Sequence, residues 1–207
     1  MDFSNEVKRY HYDSVIDDLG VGERYYGCFF GVENEIQTDL QKASKQWAHD
    51  LKSGNKEKPF LMMLGTCGTG KTWAGLCGLL EVGVYLEGRN EIDLSHSRSN
   101  VGFFTHYDVA ESVFFHDKAM ADRKKMFNAH VLMLDDLRAE GTGKVSDAFI
   151  AWMDELINYR YSHNKPTIIT ANTTAEKFQV TYGERVVDRI QDAGVILKVN
   201  SKSLRKK

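Results

Sequence analysis

The amino-acid sequence predicts an α/β fold in which a mostly parallel central sheet carries helices on both faces. Four short apolar runs, each of the length of a buried strand, alternate with longer segments of helical spacing; the runs occupy residues 60–64, 101–105, 130–134 and 167–170. The length of 207 residues, the apolar content of 42% and only two prolines fit one soluble domain of ordinary size. Alternating strands and helices imply right-handed crossovers, which place ligands at the carboxyl ends of the strands.

Helical spacing accounts for the segments between the predicted strands. Apolar residues recur at steps of three or four from 35 to 51 and predict a helix with one apolar face: Ile36, Leu40, Ala43, Trp47 and Leu51. A second helix follows the first strand from residue 71 to about 86, and the polar stretch 88–100 predicts a loop. Ser146 is placed to cap a further helix, which we expect to bury Phe149, Ile150, Met153, Leu156 and Ile157.

Composition excludes several classes of function. No stretch approaches the ~20 uncharged apolar residues of a membrane span, so we expect a cytoplasmic protein with no membrane partner. Cys28, Cys67 and Cys77 form no C-x-x-C pair, and the histidines lack metal-ligand spacing, so neither a disulfide framework nor a zinc site is indicated. The net charge of −2 argues against a uniformly basic nucleic-acid surface, although basic clusters occur at 123–125 and 202–207.

A phosphate-binding loop follows the first predicted strand. It matches G-x-x-x-x-G-K-[ST] between a strand and a helix, with the residues Gly65, Thr66, Cys67, Gly68, Thr69, Gly70, Lys71 and Thr72. The glycines let backbone N–H groups face phosphate oxygens at the helix N-terminus. We expect Lys71 to reach the β- and γ-phosphates of ATP and the Thr72 hydroxyl to ligate Mg²⁺. We interpret Cys67 as a tolerated small side chain, with a redox-sensing thiol as the alternative.

Two carboxylates and an amide follow later strands. Asp135 and Asp136 end the apolar run 131–134. We expect Asp135 to hold the Mg²⁺ shell and Asp136 to accept a proton from, or orient, the attacking water. Asn172 ends a further strand, where its amide could position that water; a helix cap before Ala175 is the alternative.

These motifs, together with G-E-R-V-V-D-R at 183–189, resemble the AAA+ core of the DnaC-type bacterial and phage replicative-helicase loaders. Segments 30–35 and 199–205 are similar to the beginning and the end of that core, so the resemblance extends over most of the chain. It implies a P-loop ATPase of AAA+ type with a reduced or absent lid domain. It also implies slow ATP hydrolysis by the isolated chain, stimulated by DNA or oligomerisation.

The resemblance also assigns roles and partners. The implied roles are Walker B for Asp135 and Asp136, sensor 1 for Asn172, the arginine finger for Arg189 or, as a weaker match, Arg185, and sensor 2 for Arg205. The implied partners are a hexameric replicative helicase of the DnaB type, single-stranded DNA and further copies of the chain.

Two features depart from the family pattern. Loaders of this family usually carry a helicase-binding region before the ATPase core, whereas here a short segment, 1–29, precedes the domain 30–207 and is at most a remnant of it. The segment that touches single-stranded DNA in such proteins is short, at 106–129, and includes the basic cluster 123–125. Two other functions therefore stay open: an IstB-type transposition helper ATPase, and a nucleotide-binding adaptor with little hydrolysis.

Overall fold

Strands and helices alternate along the described chain. The computed structural model describes residues 5–30, 38–88, 101–114, 116–139, 145–199 and 204. The strands are β1 (Phe60–Gly65), β2 (Val101–Thr105), β3 (Val131–Leu137), β4 (Thr167–Ala171) and β5 (Gly194–Val199). The helices are α1 (Asn5–Asp18), α2 (Asp39–Lys52), α3 (Lys71–Gly88), α4 (His106–Phe114), α5 (His116–Asn128), α6 (Asp147–Ser162), α7 (Ala175–Tyr182) and α8 (Glu184–Asp192).

The strands form one parallel sheet in the order β2-β3-β4-β1-β5. Phe60 at the start of β1 pairs with Thr167 of β4 on one side and with Gly194 of β5 on the other. The three inner strands are buried along nearly their whole length because helices cover both faces of a parallel sheet. The predicted α/β fold with a mostly parallel sheet is confirmed.

β5 is a strand that was not predicted from the sequence. It lies at the edge of the sheet, and its residues are partly buried or exposed. Its apolar run, 195–197, is only three residues long and is followed by Lys198. Its position depends on Gly194, where a Cβ atom would lie 2.3 Å from the carbonyl oxygen of Ile190. Only glycine therefore allows α8 to turn directly into β5.

Helices pack on both faces of the sheet. α1, α2 and α3 cover one face through a core that includes Ile16, Trp47, Leu76 and Leu80. The helices that follow β2 cover the other face through a core that includes Val109, Met126, Phe149, Phe178 and Ile190. Within the described residues, no helix is both long enough and apolar enough to cross a membrane.

Two predicted helices form with small differences. Thr38 caps α2 through a reciprocal pair of hydrogen bonds with Gln41, so this helix begins at Asp39, and residues 35–37 of the predicted span lie outside the described chain. The Ser146 hydroxyl accepts a hydrogen bond from the Phe149 N–H at 3.2 Å, as predicted for the cap of α6. Ile150 was predicted to be buried, but it is only partly buried.

The N-terminal segment contributes to the core. Tyr12 and Ile16 of α1 are 4% and 0% exposed, and Cys28 and Phe29 are buried beside them. The Tyr12 hydroxyl donates to Glu81 Oε2 of α3 at 2.9 Å. The second half of segment 1–29 is thus part of the packed domain, while its origin as a remnant of a partner-binding region stays a prediction.

A buried arginine of α6 forms hydrogen bonds with residues at the starts of β3 and β4. Arg160 is fully buried, and its guanidinium donates to Thr167 Oγ1 at 2.7 Å and to the carbonyl oxygens of Met126, Ala129 and Pro166 at 2.9, 3.1 and 2.7 Å. Burial lowers the pKa of Arg160 to about 9, so the group keeps its charge at neutral pH. No sequence motif marks this residue, because its acceptors come from distant parts of the chain.

Candidate nucleotide-binding site

The phosphate-binding loop connects the end of β1 to the start of α3. Gly65 has φ 149°, and a Cβ atom there would lie 2.0 Å from the carbonyl oxygen of Val199 in β5. Gly68 and Gly70 also have positive φ, at 81° and 89°. Glycine at these positions lets the loop curl between a strand and a helix N-terminus and lets β5 pass close to β1.

Lys71 lies across this loop. Its Nζ donates to the carbonyl oxygens of Gly65 and Thr66 at 3.0 and 2.7 Å and to Thr69 Oγ1 at 3.4 Å. The residue is only 6% exposed, and this burial lowers the pKa of its ammonium, while the nearby carboxylates of Asp136 and Asp135 oppose the shift. The loop therefore holds a buried cation where phosphate oxygens can accept its hydrogen bonds.

Thr72 and Asp135 meet beside the loop, as the sequence predicts. The Thr72 hydroxyl lies 3.0 and 3.2 Å from the two carboxylate oxygens of Asp135. Thr170 of β4 donates a second hydroxyl to Asp135 Oδ1 at 2.6 Å. Burial raises the pKa of Asp135, and the hydrogen bonds from Thr170 and Thr72 oppose that rise. Thr170 was not predicted as a site residue, because its role arises only where β4 lies beside β3.

Asp136 lies at an irregularity of β3. The pairing of β3 with β4 shifts between Leu134 and Leu137, and Asp136 has φ 52° in the left-handed region. Its backbone N–H donates to Thr170 Oγ1 at 2.9 Å, which holds this uncommon conformation. As a result Asp135 is buried and Asp136 is exposed. An irregularity of this kind, a β-bulge, changes the direction of side chains, and here it gives two adjacent carboxylates different environments.

Asn172 contacts the exposed carboxylate. Its Nδ2 donates to Asp136 Oδ1 from the end of β4. The alternative that Asn172 caps the next helix is wrong, since the N-cap of α7 is Thr174, whose side chain accepts from Lys177 N. Asn172 lies two residues before this N-cap, and its amide faces β3 instead of α7.

These groups line one cleft of about 600 Å³. Beyond the phosphate loop the cleft extends to residues that were not predicted from the sequence: Arg24, Tyr25, Thr38, Gln41 and Trp73. The rings of Tyr25 and Trp73 lie 6.3 Å apart, and the Arg24 guanidinium lies 6.0 Å from the centre of the Tyr25 ring. No local motif marks these residues, because three separate elements bring them together: the short 3-10 helix Glu23–Tyr25, the start of α2 and the start of α3.

The arginines assigned by resemblance lie elsewhere. Arg185 and Arg189 of α8 are not among the described residues that line this cleft; both face Asp154 of α6. Arg205 lies outside the described residues. The preceding residue, Leu204, lines the cleft, and its N–H donates to the Gly68 carbonyl oxygen at 2.8 Å.

The basic cluster before β3 is not a uniform charged surface. Arg123 is partly buried, and its guanidinium donates to the carbonyl oxygens of Ser112 and Val113 at 2.7 and 2.9 Å, at the end of α4. Lys124 is exposed and Lys125 is partly buried. These hydrogen bonds hold α4 and α5 together and engage two donors of the Arg123 guanidinium within the chain. Contact of the cluster 123–125 with DNA stays a prediction.

A second groove, of about 210 Å³, adjoins the end of β3. We call it the α4 groove, and its lining includes His106, Tyr107, Phe114, Arg138 and Phe149. Tyr107 and Phe114 are 67% and 53% exposed, which is unusual for aromatic side chains. The Arg138 N–H donates to His106 Nδ1 at 3.4 Å, and this contact links the groove to the strand that carries Asp135 and Asp136.

The sheet order, the phosphate loop after β1 and the paired carboxylates after β3 define the class of protein: an α/β P-loop fold of AAA+ type. The chain is similar to a protein named Replicative helicase loader DnaC from Buchnera aphidicola subsp. Baizongia pistaciae (strain Bp). The two are 24% identical over 202 residues, which cover 93% of this chain and 75% of the relative. The resemblance to DnaC-type loaders is therefore confirmed. No protein-family model matches the chain.

Solved structures share the fold. The crystal structure of the DnaC helicase loader aligns with a TM-score of 0.62 and 22% identity over 86% of this chain and 100% of that chain. The replication initiator DnaA, bound to AMPPCP and single-stranded DNA, aligns with a TM-score of 0.57 and 17% identity over 87% of this chain and 51% of that chain. The fold is thus one that occurs in replication proteins.

Proposed function

We propose that the chain is an ATPase that loads a hexameric replicative helicase of the DnaB type onto single-stranded DNA, with ATP binding and hydrolysis as the switch. The observation that carries this proposal is the convergence of Lys71, Thr72, Asp135, Asp136 and Asn172 on one cleft, in a fold shared with a helicase loader. The relative named Replicative helicase loader DnaC supports the choice of partner.

The residues divide the chemistry between them. Lys71 neutralises charge on the β- and γ-phosphates, and its buried position strengthens that interaction because water screens it less. Asp136 is exposed at the mouth of the cleft and orients or deprotonates the attacking water, while Asn172 holds the Asp136 carboxylate through its amide. The phosphate loop keeps the reacting groups in one geometry.

The donors beside the loop fit Mg²⁺. Thr72 and Asp135 supply one hydroxyl and one carboxylate, and Mg²⁺ at nucleotide sites prefers such oxygens together with phosphate oxygens. In the described part of the chain, no group of three or more histidine, cysteine or acidic residues could hold a metal by itself. Mg²⁺ bound here would neutralise negative charge on the phosphates.

The far end of the cleft suits the nucleoside. Tyr25 and Trp73 offer aromatic faces beside the phosphate loop, and Thr38 and Gln41 offer polar side chains. Tyr25→Ala should weaken ATP and ADP binding by a similar factor, because both share the nucleoside. It should leave turnover at saturating ATP nearly unchanged, because this interaction is the same in the ground state and the transition state. Titration with a fluorescent nucleotide measures this effect.

Single-stranded DNA would bind at the α4 groove. Bases stack on exposed aromatic rings with about 1–3 kcal/mol each, and the exposed side chain of Arg138 can meet a phosphate. The double variant Tyr107→Ala with Phe114→Ala should weaken DNA binding by about tenfold or more. Val180→Ala removes an exposed apolar side chain of α7 that is not among the described residues lining this groove, and it is the surface control. An equal loss in both proteins would contradict the use of this groove.

Arg189 would act on a neighbouring subunit. An arginine stabilises the charge spread over a transferring phosphoryl group and can contribute about 10³–10⁵ in rate. Lys71→Ala and Arg189→Ala should each be inactive alone, but a mixture should recover part of the ATPase activity where an intact loop meets an intact arginine. Absence of recovery in mixtures that demonstrably co-assemble would exclude this role.

Affinity capture distinguishes the helicase-loading proposal from the transposition alternative. The wild-type chain and Lys71→Ala are each incubated with a DnaB-type helicase or with a transposase, with and without ATP. A loader should retain the helicase, and its ATP dependence should disappear in Lys71→Ala. Retention of the transposase alone would favour the IstB-type function. Binding of ATP without measurable turnover would favour the adaptor.

A further inference from the structure

One carboxylate on α6 faces two arginines on α8. Asp154 Oδ1 lies 3.7 Å from Arg189 Nη1, and Asp154 Oδ2 lies 3.5 Å from Arg185 Nη2. The Arg189 side chain is 20% exposed, whereas that of Arg185 is 71% exposed. The residue that resembles an arginine finger is thus the better covered of the two, and its own chain holds it in place.

Arg189 is held by one end of its guanidinium. Nη1 faces Asp154 and donates to the Arg185 carbonyl oxygen at 3.1 Å. Nε and Nη2 donate to no acceptor within the described residues. Because a guanidinium is rigid and planar, contacts at Nη1 restrict the direction of the opposite edge. That edge keeps donors available for an oxygen ligand outside this chain.

One carboxylate oxygen of Asp154 accepts no hydrogen bond from the described residues. Asp154 Oδ1 is buried and has no hydrogen-bond partner among the described residues, although the Arg189 cation is within ion-pair distance. Buried carboxylate oxygens normally accept hydrogen bonds, and an exception calls for an explanation. Here the carboxylate attracts Arg189 without fixing it by a short hydrogen bond, while Arg185 neutralises the other oxygen.

We propose that Asp154 is a positioning residue for Arg189 in an assembled ATPase. Its carboxylate orients the guanidinium of Arg189 so that the outer edge meets the phosphates held by Lys71 of a second copy of the chain. Arg185 keeps the carboxylate paired when Arg189 engages that second copy. This inference rests on the proposed action of Arg189 between subunits, and Asp154 itself touches no substrate.

The test places Asp154→Asn on one chosen side of a mixed interface. In the parent mixture, Lys71→Ala subunits supply Arg189 and Arg189→Ala subunits supply the phosphate loop. Adding Asp154→Asn to the Lys71→Ala subunit should lower the recovered kcat by about tenfold or more, with little change in the KM for ATP, because a misplaced catalytic group loses rate rather than binding. Adding it to the Arg189→Ala subunit should leave the recovered activity nearly unchanged.

Controls separate positioning from stability. Glu155→Gln removes a carboxylate from the next, exposed residue of α6 and should have no effect on either side. Asp154→Glu keeps the charge and should restore part of the lost kcat. An equal loss from Asp154→Asn on both sides, or no loss on the Arg189 side, would overturn the inference. If the parent mixture itself recovers no activity, the proposed action between subunits fails first, and the inference fails with it.

Discussion

Thr170 provides the sharpest test of the site geometry. Its hydroxyl donates to Asp135 Oδ1 at 2.6 Å and accepts from the Asp136 N–H at 2.9 Å, so one buried atom joins both carboxylate residues to β4. Thr170→Val removes both hydrogen bonds while the side chain keeps nearly the same volume. We expect this substitution to lower stability and turnover together.

The magnitude follows from the two bonds. A hydrogen bond to a charged group contributes about 1.5–3 kcal/mol and one to a backbone amide about 0.5–1.5 kcal/mol, so Thr170→Val should lower the free energy of unfolding by about 2–4 kcal/mol. The pKa of Asp135 should rise, because the Thr170 hydrogen bond opposes the effect of burial. The backbone at Asp136 also loses the acceptor that holds its φ of 52°. Turnover at saturating ATP should therefore fall by about tenfold or more.

Thr170→Ser is the matched control. Serine keeps the hydroxyl and loses only a buried methyl group, which contributes about 1 kcal/mol. Urea denaturation measures stability, and steady-state phosphate release at saturating Mg²⁺ and ATP measures turnover. If the valine and serine variants have the same stability and the same turnover, the hydroxyl does not organise the two carboxylates and the reasoning is refuted.

Three further predictions concern the scaffold and the amide of Asn172. Arg160→Met should lower the free energy of unfolding by about 3–5 kcal/mol in urea titrations, because it leaves several buried acceptors without a donor. Gly65→Ala should cost more than about 3 kcal/mol because its Cβ would meet β5, whereas Gly22→Ala, with φ 94° and open space, should cost about 1–2 kcal/mol in the same assay. Asn172→Ala should retain nucleotide affinity and lose about tenfold or more in turnover, and unchanged phosphate release would contradict the proposed catalytic role of its contact with Asp136.

The inner strands and the phosphate loop were predictable because their signals are local. A strand buried on both faces is a continuous apolar run, and β1, β3 and β4 all show one. The loop at 65–72 needs glycine for its backbone conformation, and lysine and threonine for the expected contacts with phosphate and Mg²⁺. All of these residues are close in sequence, so the motif can be recognised without the structure. The expected roles of Asp136 and Asn172 followed from their positions after strands, and the resemblance to the helicase loaders then supplied the expected role of Arg189.

The strand β5 and the long-range contacts were not predictable in the same way. The residues of β5 are partly buried or exposed, whereas β2, at the other edge of the sheet, is mostly buried and was predicted. Nothing local shows that the Arg123 guanidinium holds the end of α4. The helix-cap alternative for Asn172 could not be decided until Thr174 was seen to cap α7. The contacts of Arg123 depend on a distant part of the fold, and the cap of α7 depends on a choice between neighbouring residues that can each cap a helix.

The sequence alone therefore determined the class of fold, the phosphate loop and the identity of the two carboxylates, because short-range spacing encodes strand burial and loop chemistry. The tertiary structure decided which carboxylate is buried, which hydroxyl joins them and which residue faces Arg189. These properties depend on Thr170 and Asp154, whose partners Asp135 and Arg189 lie 35 residues away in each case. Only the packing of β4 against β3 and of α6 against α8 brings such distant groups within hydrogen-bond or ion-pair range.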